Sequence, residues 1–152
     1  MEDGAWMCFS LALYYFGYGH FHLAQNLNIK TLGQPKRYAK HFEYQSKFLS
    51  VMISLELERF NFVDRELQEL RRYLKTLGEL RPYDLAVLKF LRQARNHWGR
   101  SMKTTMLDLF NKLTAPYEKE IRANLSSLEI SVWVEAYQNK VTMAEINKRR
   151  MA

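Results

Sequence analysis

The sequence predicts an all-α fold built from stacked antiparallel helix pairs. Apolar residues recur at intervals of three and four along most of the chain, which is the spacing of one helix face. Only 6 of the 152 residues are Gly and 3 are Pro, so few breakers interrupt the helices. Turns of about two to four residues in the middle of the chain make consecutive helices antiparallel neighbours.

The composition supports one domain with a substantial core. Hydrophobic residues make up 47% of the chain, and a single cysteine, Cys8, excludes an internal disulfide and suits a reducing compartment. We therefore expect a cytoplasmic protein. The apolar stretch 5–16 is shorter than the ~20 residues that a membrane-spanning helix needs, so we expect no membrane association.

The first predicted pair covers about residues 3–32. Its first helix is apolar nearly all round, and only one side of it can pack on its own partner helix. Terminal units of a repeat array normally have a polar outer face, so we expect the chain to be the carboxy-terminal part of a longer array, with Met1 not the native start. The side predicted to lack a cover consists of Trp6, Phe9, Leu13 and Phe16.

The next two pairs cover about residues 39–77 and 81–113. The long helix at 39–59 is followed by Asn61 as the predicted cap of the next helix. Gly78 is expected to end that helix, and Pro82 to open the following one. The inward stripe of the helix before Gly78 is predicted to be Val63, Leu67, Leu70, Leu74 and Leu77.

Closing helices are expected at about 116–150. Ser101 is a predicted cap of the helix before Pro116. Ser126 with Glu129, and Thr142 with Glu145, have the three-residue spacing of a capping box ahead of apolar positions. Short helices should follow each of them.

The first pair also follows the spacing of a known helical repeat. Leu11, Tyr15 and Ala24 match the tetratricopeptide pattern, while Cys8 and Asn28 depart from it. The chain therefore resembles a tetratricopeptide unit at its start, although its helix pairs recur at about 40 residues rather than the usual ~34. The resemblance implies a right-handed α-solenoid, which is a single helical repeat domain over residues 1–152.

Three later segments are similar to the closing region of tetratricopeptide-like proteins of Bacteroidetes type. They are ELERFNFVDRELQELRRYL with its Arg72-Tyr73-Leu74 ending, RPYDLAVLKFLRQ, and LEISVWVEAY with Glu129 ahead of Trp133. The resemblance implies a binding scaffold of unknown partner, with no enzymatic activity and no cofactor.

No arrangement of residues indicates catalysis or metal binding. His20 and His22 lie two apart in a turn, without the i, i+4 pairing of a helical zinc site. Cys8 lies in an apolar helix, where we expect it to be buried and unreactive. The sequence therefore predicts no catalytic and no metal-binding residues. The other histidines and clustered acidic residues have no such spacing either; they are His41, His97, Glu56, Glu58, Asp64, Glu66 and Glu69.

The leading prediction is a non-catalytic scaffold that binds a protein or peptide. In the tetratricopeptide arrangement the first helix of each pair lines the concave surface, which implies a binding set drawn from the first and third helices. We also expect two copies to pair through the uncovered first helix. The predicted partner-binding residues are Trp6, Phe9, Leu13, Phe16, Lys40, Glu43, Lys47 and Ser50.

A nucleic-acid-binding helical domain is the alternative. The formal net charge is +7, and most of the excess lies in the second half of the chain. Acidic residues lie among the basic ones, and the aromatic residues follow the core stripe instead of forming a stacking platform, which favours the protein-binding interpretation. The basic face would consist of Arg71, Arg72, Lys75, Lys89, Arg92 and Arg95.

Overall fold

A computed structural model describes residues 2–33, 36–99, 106–125 and 128–152, and the side chains of all of these except residues 2–3 and 36–41. The described part is helical and contains no strand. Its helices are α1 (Glu2–Gly17), α2 (Phe21–Leu32), α3 (Lys36–Glu56), α4 (Phe60–Thr76), α5 (Pro82–His97), α6 (Met106–Thr114), α7 (Glu118–Leu125), α8 (Ile130–Asn139) and α9 (Met143–Met151), with a short 3-10 turn at Ala115–Tyr117.

Consecutive helices pack against one another from α1 to α6, and α8 packs on both α6 and α9. Phe48 and Leu49 of α3, Phe90 and Leu91 of α5, and Trp133 of α8 are buried in the core. The all-helical prediction is thus confirmed. The right-handed solenoid is a finer statement that these contacts do not establish.

The last helices also reach the first one. The rings of Phe16 in α1 and Trp133 in α8 lie 6.2 Å apart. In an open solenoid each unit contacts only its neighbours. The contact therefore brings α8 against α1, and it covers part of α1 that local sequence patterns left without a partner.

The stripe of α4 follows the predicted register. Val63, Leu67, Leu70 and Leu74 are buried, as expected. Leu77 was also placed in this stripe, and that placement is wrong because the helix ends at Thr76 and Leu77 is exposed.

The boundary between α3 and α4 differs from the prediction. The chain leaves α3 through Glu58, whose φ of 56° is left-handed, and the Arg59 N–H donates to the Ser54 carbonyl at 2.9 Å. Glycine usually occupies such a left-handed position at a helix end. Because glutamate occupies it here, no residue type in the sequence marked the end of α3. The predicted cap at Asn61 is also wrong, since Arg59 occupies the N-cap position of α4.

The capping predictions near the end of the chain have different outcomes. The Glu145 backbone N–H donates to the Thr142 hydroxyl at 3.1 Å, which confirms Thr142 as the cap of α9. Ser101 and Ser126 lie outside the described residues. Asn28, which departs from the tetratricopeptide pattern, is buried, and its side-chain amide donates to the Ser46 carbonyl of α3 at 3.0 Å.

Candidate functional site

The predicted partner-binding residues of α1 separate into buried and exposed ones. Phe9 and Phe16 retain only 3% and 2% of their surface, so their placement on an uncovered side is wrong. Phe9 packs against Phe42 of α3, with ring centroids 5.4 Å apart. Leu13 is half-buried against the same core, whereas Trp6 is exposed as expected.

The predicted residues of α3 face a neighbouring helix rather than open solvent. Glu43 and Lys47 form an ion pair with each other at 4.0 Å, and the Lys47 ammonium lies 5.0 Å from the ring centroid of Tyr73 in α4. Ser50 donates a hydrogen bond to the Glu66 carboxylate of α4. These side chains therefore join α3 to α4. Lys40 also lies in α3, but its side chain lies outside the part that the structure describes.

A different face of α1 is uncovered. Met7, Leu11 and Tyr14 on α1, and Tyr18 just after it, are between 39% and 56% exposed. Their spacing of four, three and four residues places them on one helix face. The rings of Tyr14 and Tyr18 are 4.9 Å apart, so the side chains are continuous there. We call these four residues the α1 stripe.

The spacing of the α1 stripe is visible in the sequence, but the side that contains Phe9, Leu13 and Phe16 has helical spacing too. Because α1 is apolar nearly all round, two stripes of equal period compete for the core. The outcome depends on α3 and α8, which cover Phe9 and Phe16 from distant parts of the chain. Local periodicity cannot report such contacts.

A groove adjoins the α1 stripe where α9 returns to α1. Its volume is about 610 Å³. Tyr14 and Tyr18 belong to both the groove and the stripe, and Lys148 of α9 contributes a positive charge. We call it the α1–α9 groove; it is lined by Ser10, Leu13, Tyr14, Phe16, Gly17, Tyr18, Leu128, Glu129, Met143, Ala144, Asn147, Lys148 and Met151.

The predicted basic face is largely exposed but partly neutralised. Arg95 of α5 makes a two-pronged contact with the Asp64 carboxylate of α4, at 2.8 and 3.1 Å. Its guanidinium also lies 5.1 Å from the ring centroid of Phe60. Arg95 therefore joins two helices. The exposed members are Arg71, Arg72, Lys75, Lys89 and Arg92.

The candidates for catalytic or metal chemistry are dispersed. The described residues contain no group of three or more His, Cys, Asp or Glu side chains that could hold a metal ion. His20 and His22 are exposed, and the side chain of His41 lies outside the described residues. Cys8 is half-buried, so it is less enclosed than expected. Glu66 of α4 accepts hydrogen bonds from Ser50 and Ser54 of α3, so it connects the two helices.

Glu56 is the acidic residue with the most altered environment. It accepts a hydrogen bond from the Trp133 indole N–H at 2.8 Å. Burial, with a further contribution from the nearby Glu58 carboxylate, raises the pKa of Glu56 to about 7, although the Trp133 hydrogen bond acts in the opposite direction. Local sequence patterns did not single out Glu56, because its partner Trp133 lies 77 residues away.

Comparison with known proteins identifies no relative. No family model matches the chain, and no curated protein or solved structure is detectably similar to it. The resemblance to tetratricopeptide-like proteins therefore stays a prediction. In the part of the chain that the structure describes, none of the helices is long and apolar enough to cross a bilayer.

Proposed function

We propose that this chain is a non-catalytic helical scaffold that binds a protein or peptide partner through the α1 stripe and the adjoining α1–α9 groove. The observation that supports this most is the set of four large apolar side chains exposed on one helix face. Contiguous apolar surface of this kind commonly marks a protein-binding site. The finer architecture that we propose is a tetratricopeptide-like helix stack whose last helices close on the first.

The proposed partner segment is an amphipathic helix flanked by acidic residues. A stripe that repeats every three to four residues fits the anchors of a second helix lying alongside it. The net charge of +7 would steer an acidic segment toward this protein. In the groove itself Lys148 carries a positive charge and Glu129 a negative one, so the attraction for an acidic segment comes from the net charge of the whole chain. The single cysteine supports a reducing compartment, and we propose the cytoplasm.

A selection experiment tests this proposal. A library of amphipathic helical peptides, half with acidic and half with basic flanks, is selected against the full chain. We expect acidic-flanked peptides to be enriched, and Leu11→Glu to abolish their binding. Leu77→Glu is the matched control, because Leu77 is an exposed leucine just after the end of α4, and it should leave binding unchanged. Binders that tolerate Leu11→Glu would contradict the proposed surface.

The alternative is nucleic-acid binding through the basic face. It is supported by the exposure of Arg71 and Arg92 on the neighbouring helices α4 and α5. Titration with a random duplex at several salt concentrations tests it. Binding that weakens steeply with salt and is reduced by Arg71→Ala with Arg92→Ala would support this alternative. Binding unaffected by those changes would exclude the basic face.

A further inference from the structure

Three helices end beside one cleft. The last turns of α1, α3 and α8 all contribute residues to its lining. Each chain leaves its helix through a left-handed residue, which is Gly19, Glu58 or Lys140, and the N–H of the next residue donates to the carbonyl five residues before it. The C-terminus of a helix carries a partial negative charge. Three such ends beside one cleft disfavour a further negative charge there.

Glu56, at the end of α3, places a carboxyl group in this cleft. The Trp133 indole N–H donates to it at 2.8 Å, and Trp133 retains only 1% of its surface. Glu56 itself is half-buried, and no ion pair among the described residues involves it. Ionisation would therefore leave a poorly hydrated charge beside the helix ends, which favours the neutral carboxyl.

The other titratable groups around Glu56 do not compensate its charge. Glu58 opposes ionisation, because it would place a second negative charge nearby. Lys140 lies at the cleft but is exposed and outside ion-pair distance of Glu56, while Arg59 donates to Gln25 of α2 at 3.1 Å. The groups are Tyr137 of α8, Lys140 after it, Glu58 and Arg59 of the α3–α4 turn, and His20 of the α1–α2 turn, which packs against the Tyr15 ring.

The contact between Glu56 and Trp133 joins the last two helices to the first ones. Trp133 of α8 also packs on Phe16 of α1, with ring centroids 6.2 Å apart, and α9 packs on α8. Phe16 and Met143 line both this cleft and the α1–α9 groove. A displacement of α8 and α9 would therefore change the groove as well as the cleft.

We propose that Glu56 is a pH-sensitive switch, in which the neutral carboxyl keeps α8 and α9 closed on α1 and α3 and the ionised carboxylate favours their opening. Opening admits water to the carboxylate and separates Phe16 from Met143. A partner bound in the α1–α9 groove would hold α8 and α9 closed, and this consequence rests on the proposed partner-binding function. The switch itself operates without a partner.

The expected size of the effect follows from the two ionisation equilibria. The pKa of Glu56 is about 7 in the closed chain, whereas a hydrated carboxyl in the open form has the ordinary value of 4.5. The closed form is therefore favoured fully below about pH 4.5, and this advantage is lost as the pH rises through 7. Between about pH 6 and 8 the equilibrium constant for opening should increase about tenfold.

Amide hydrogen exchange of the full chain measures this opening. Protection factors, which correct for the intrinsic pH dependence of exchange, are compared for Val134 in α8 and Leu70 in α4, both of which are buried. We expect Val134 to be at least about tenfold less protected than Leu70, because α8 opens locally. Its protection should fall about tenfold between about pH 6 and 8 in the parent and in Glu58→Gln, and stay constant in Glu56→Gln.

Several results would overturn the switch. Equal protection of Val134 and Leu70 at both pH values would mean that α8 opens only when the whole chain unfolds. A fall of less than about twofold, or the same fall in Glu56→Gln, would mean that ionisation of Glu56 does not drive opening. If Glu56→Gln does not fold, the carboxyl carbon resonance of Glu56 in the parent takes its place. Its titration midpoint should coincide with the fall in protection, and a midpoint near 4.5 would overturn the proposal.

A selected acidic-flanked peptide tests the link between the switch and the groove. At about ten times its Kd, the peptide should raise the protection of Val134 about tenfold at pH 8. A bound peptide that leaves this protection unchanged would overturn the link. Failure of every peptide to bind would contradict the proposed function instead, and the exchange of the free chain would still decide the switch.

Discussion

At the residue scale, Leu70 and Arg71 are adjacent but lie in opposite environments. Leu70 retains 1% of its surface in the middle of the α4 stripe, whereas Arg71 is exposed. Leu70→Ala should destabilise the fold by about 2–5 kcal/mol, because truncation of a buried leucine leaves a cavity. Arg71→Ala should change stability by less than about 0.5 kcal/mol. Denaturant unfolding measures both, and a loss below about 1 kcal/mol for Leu70→Ala would show that the α4 register is wrong.

Glu56 gives the fold a pH dependence with a defined sign. Its pKa is about 7 in the folded chain and 4.5 in the reference state, so the folded chain holds a proton that the unfolded chain releases. Stability from this group is therefore full below about pH 4.5 and is lost as the pH rises through 7. At pH 8 Glu56→Gln should be more stable than the parent by a difference on the order of 2 kcal/mol.

The same pair of proteins compared at pH 4.5 provides the control. Both forms then carry an uncharged side chain at position 56, so the difference in unfolding free energy should nearly vanish. Urea unfolding at the two pH values measures it. A difference that does not change with pH would mean that Glu56 is ionised in the folded chain without penalty.

At the element scale, local sequence predicts the buried stripe of α4 but not the end of α3 or the buried side of α1. The four buried positions of α4 were predictable because polar residues separate them at helical spacing. The end of α3 was not predictable, because Glu58 adopts a left-handed conformation at a position where helices usually have glycine. In α1 the helix itself was predictable, but its buried side was not, because Phe9 and Phe16 are covered by α3 and α8.

Glu58 offers a test of this explanation. A left-handed conformation costs a residue other than glycine about 1 kcal/mol, so Glu58→Gly should stabilise the chain by about that amount. Glu58→Ala is the matched control, since it also removes the charge near Glu56 but keeps the backbone cost. Thermal or urea unfolding should show that Glu58→Gly is more stable than Glu58→Ala. Equal stability of the two would argue against the left-handed turn.

At the scale of the whole molecule, the contact between Phe16 and Trp133 joins α8 to α1, which the sequence did not predict. Trp133 hydrogen-bonds Glu56 and also packs on Phe16, so α8 fastens the end of α3 to α1. No local pattern could predict this, because the partners lie far apart in sequence. The cap at Thr142, by contrast, was predictable, because it depends only on the three-residue spacing to Glu145.

Self-association is the second consequence at this scale. The exposed α1 stripe, rather than Phe9 and Phe16, should pair two copies in a two-fold contact when no partner is present. Sedimentation should detect a dimer at concentrations on the order of tens of micromolar. Leu11→Glu should yield a monomer and Leu77→Glu should not. A parent protein that is monomeric under these conditions would contradict pairing through α1.

The central claim is that the α1 stripe is the binding surface, and hydroxyl-radical footprinting tests it most directly. Met7, Tyr14 and Tyr18 are exposed and carry reactive side chains, whereas Phe62 is similarly exposed on α4 and serves as the internal control. With a selected acidic-flanked peptide bound, we expect the oxidation of Met7, Tyr14 and Tyr18 to fall several-fold while that of Phe62 is unchanged. Protection of Phe62 instead, with the α1 stripe still fully reactive, would contradict the account.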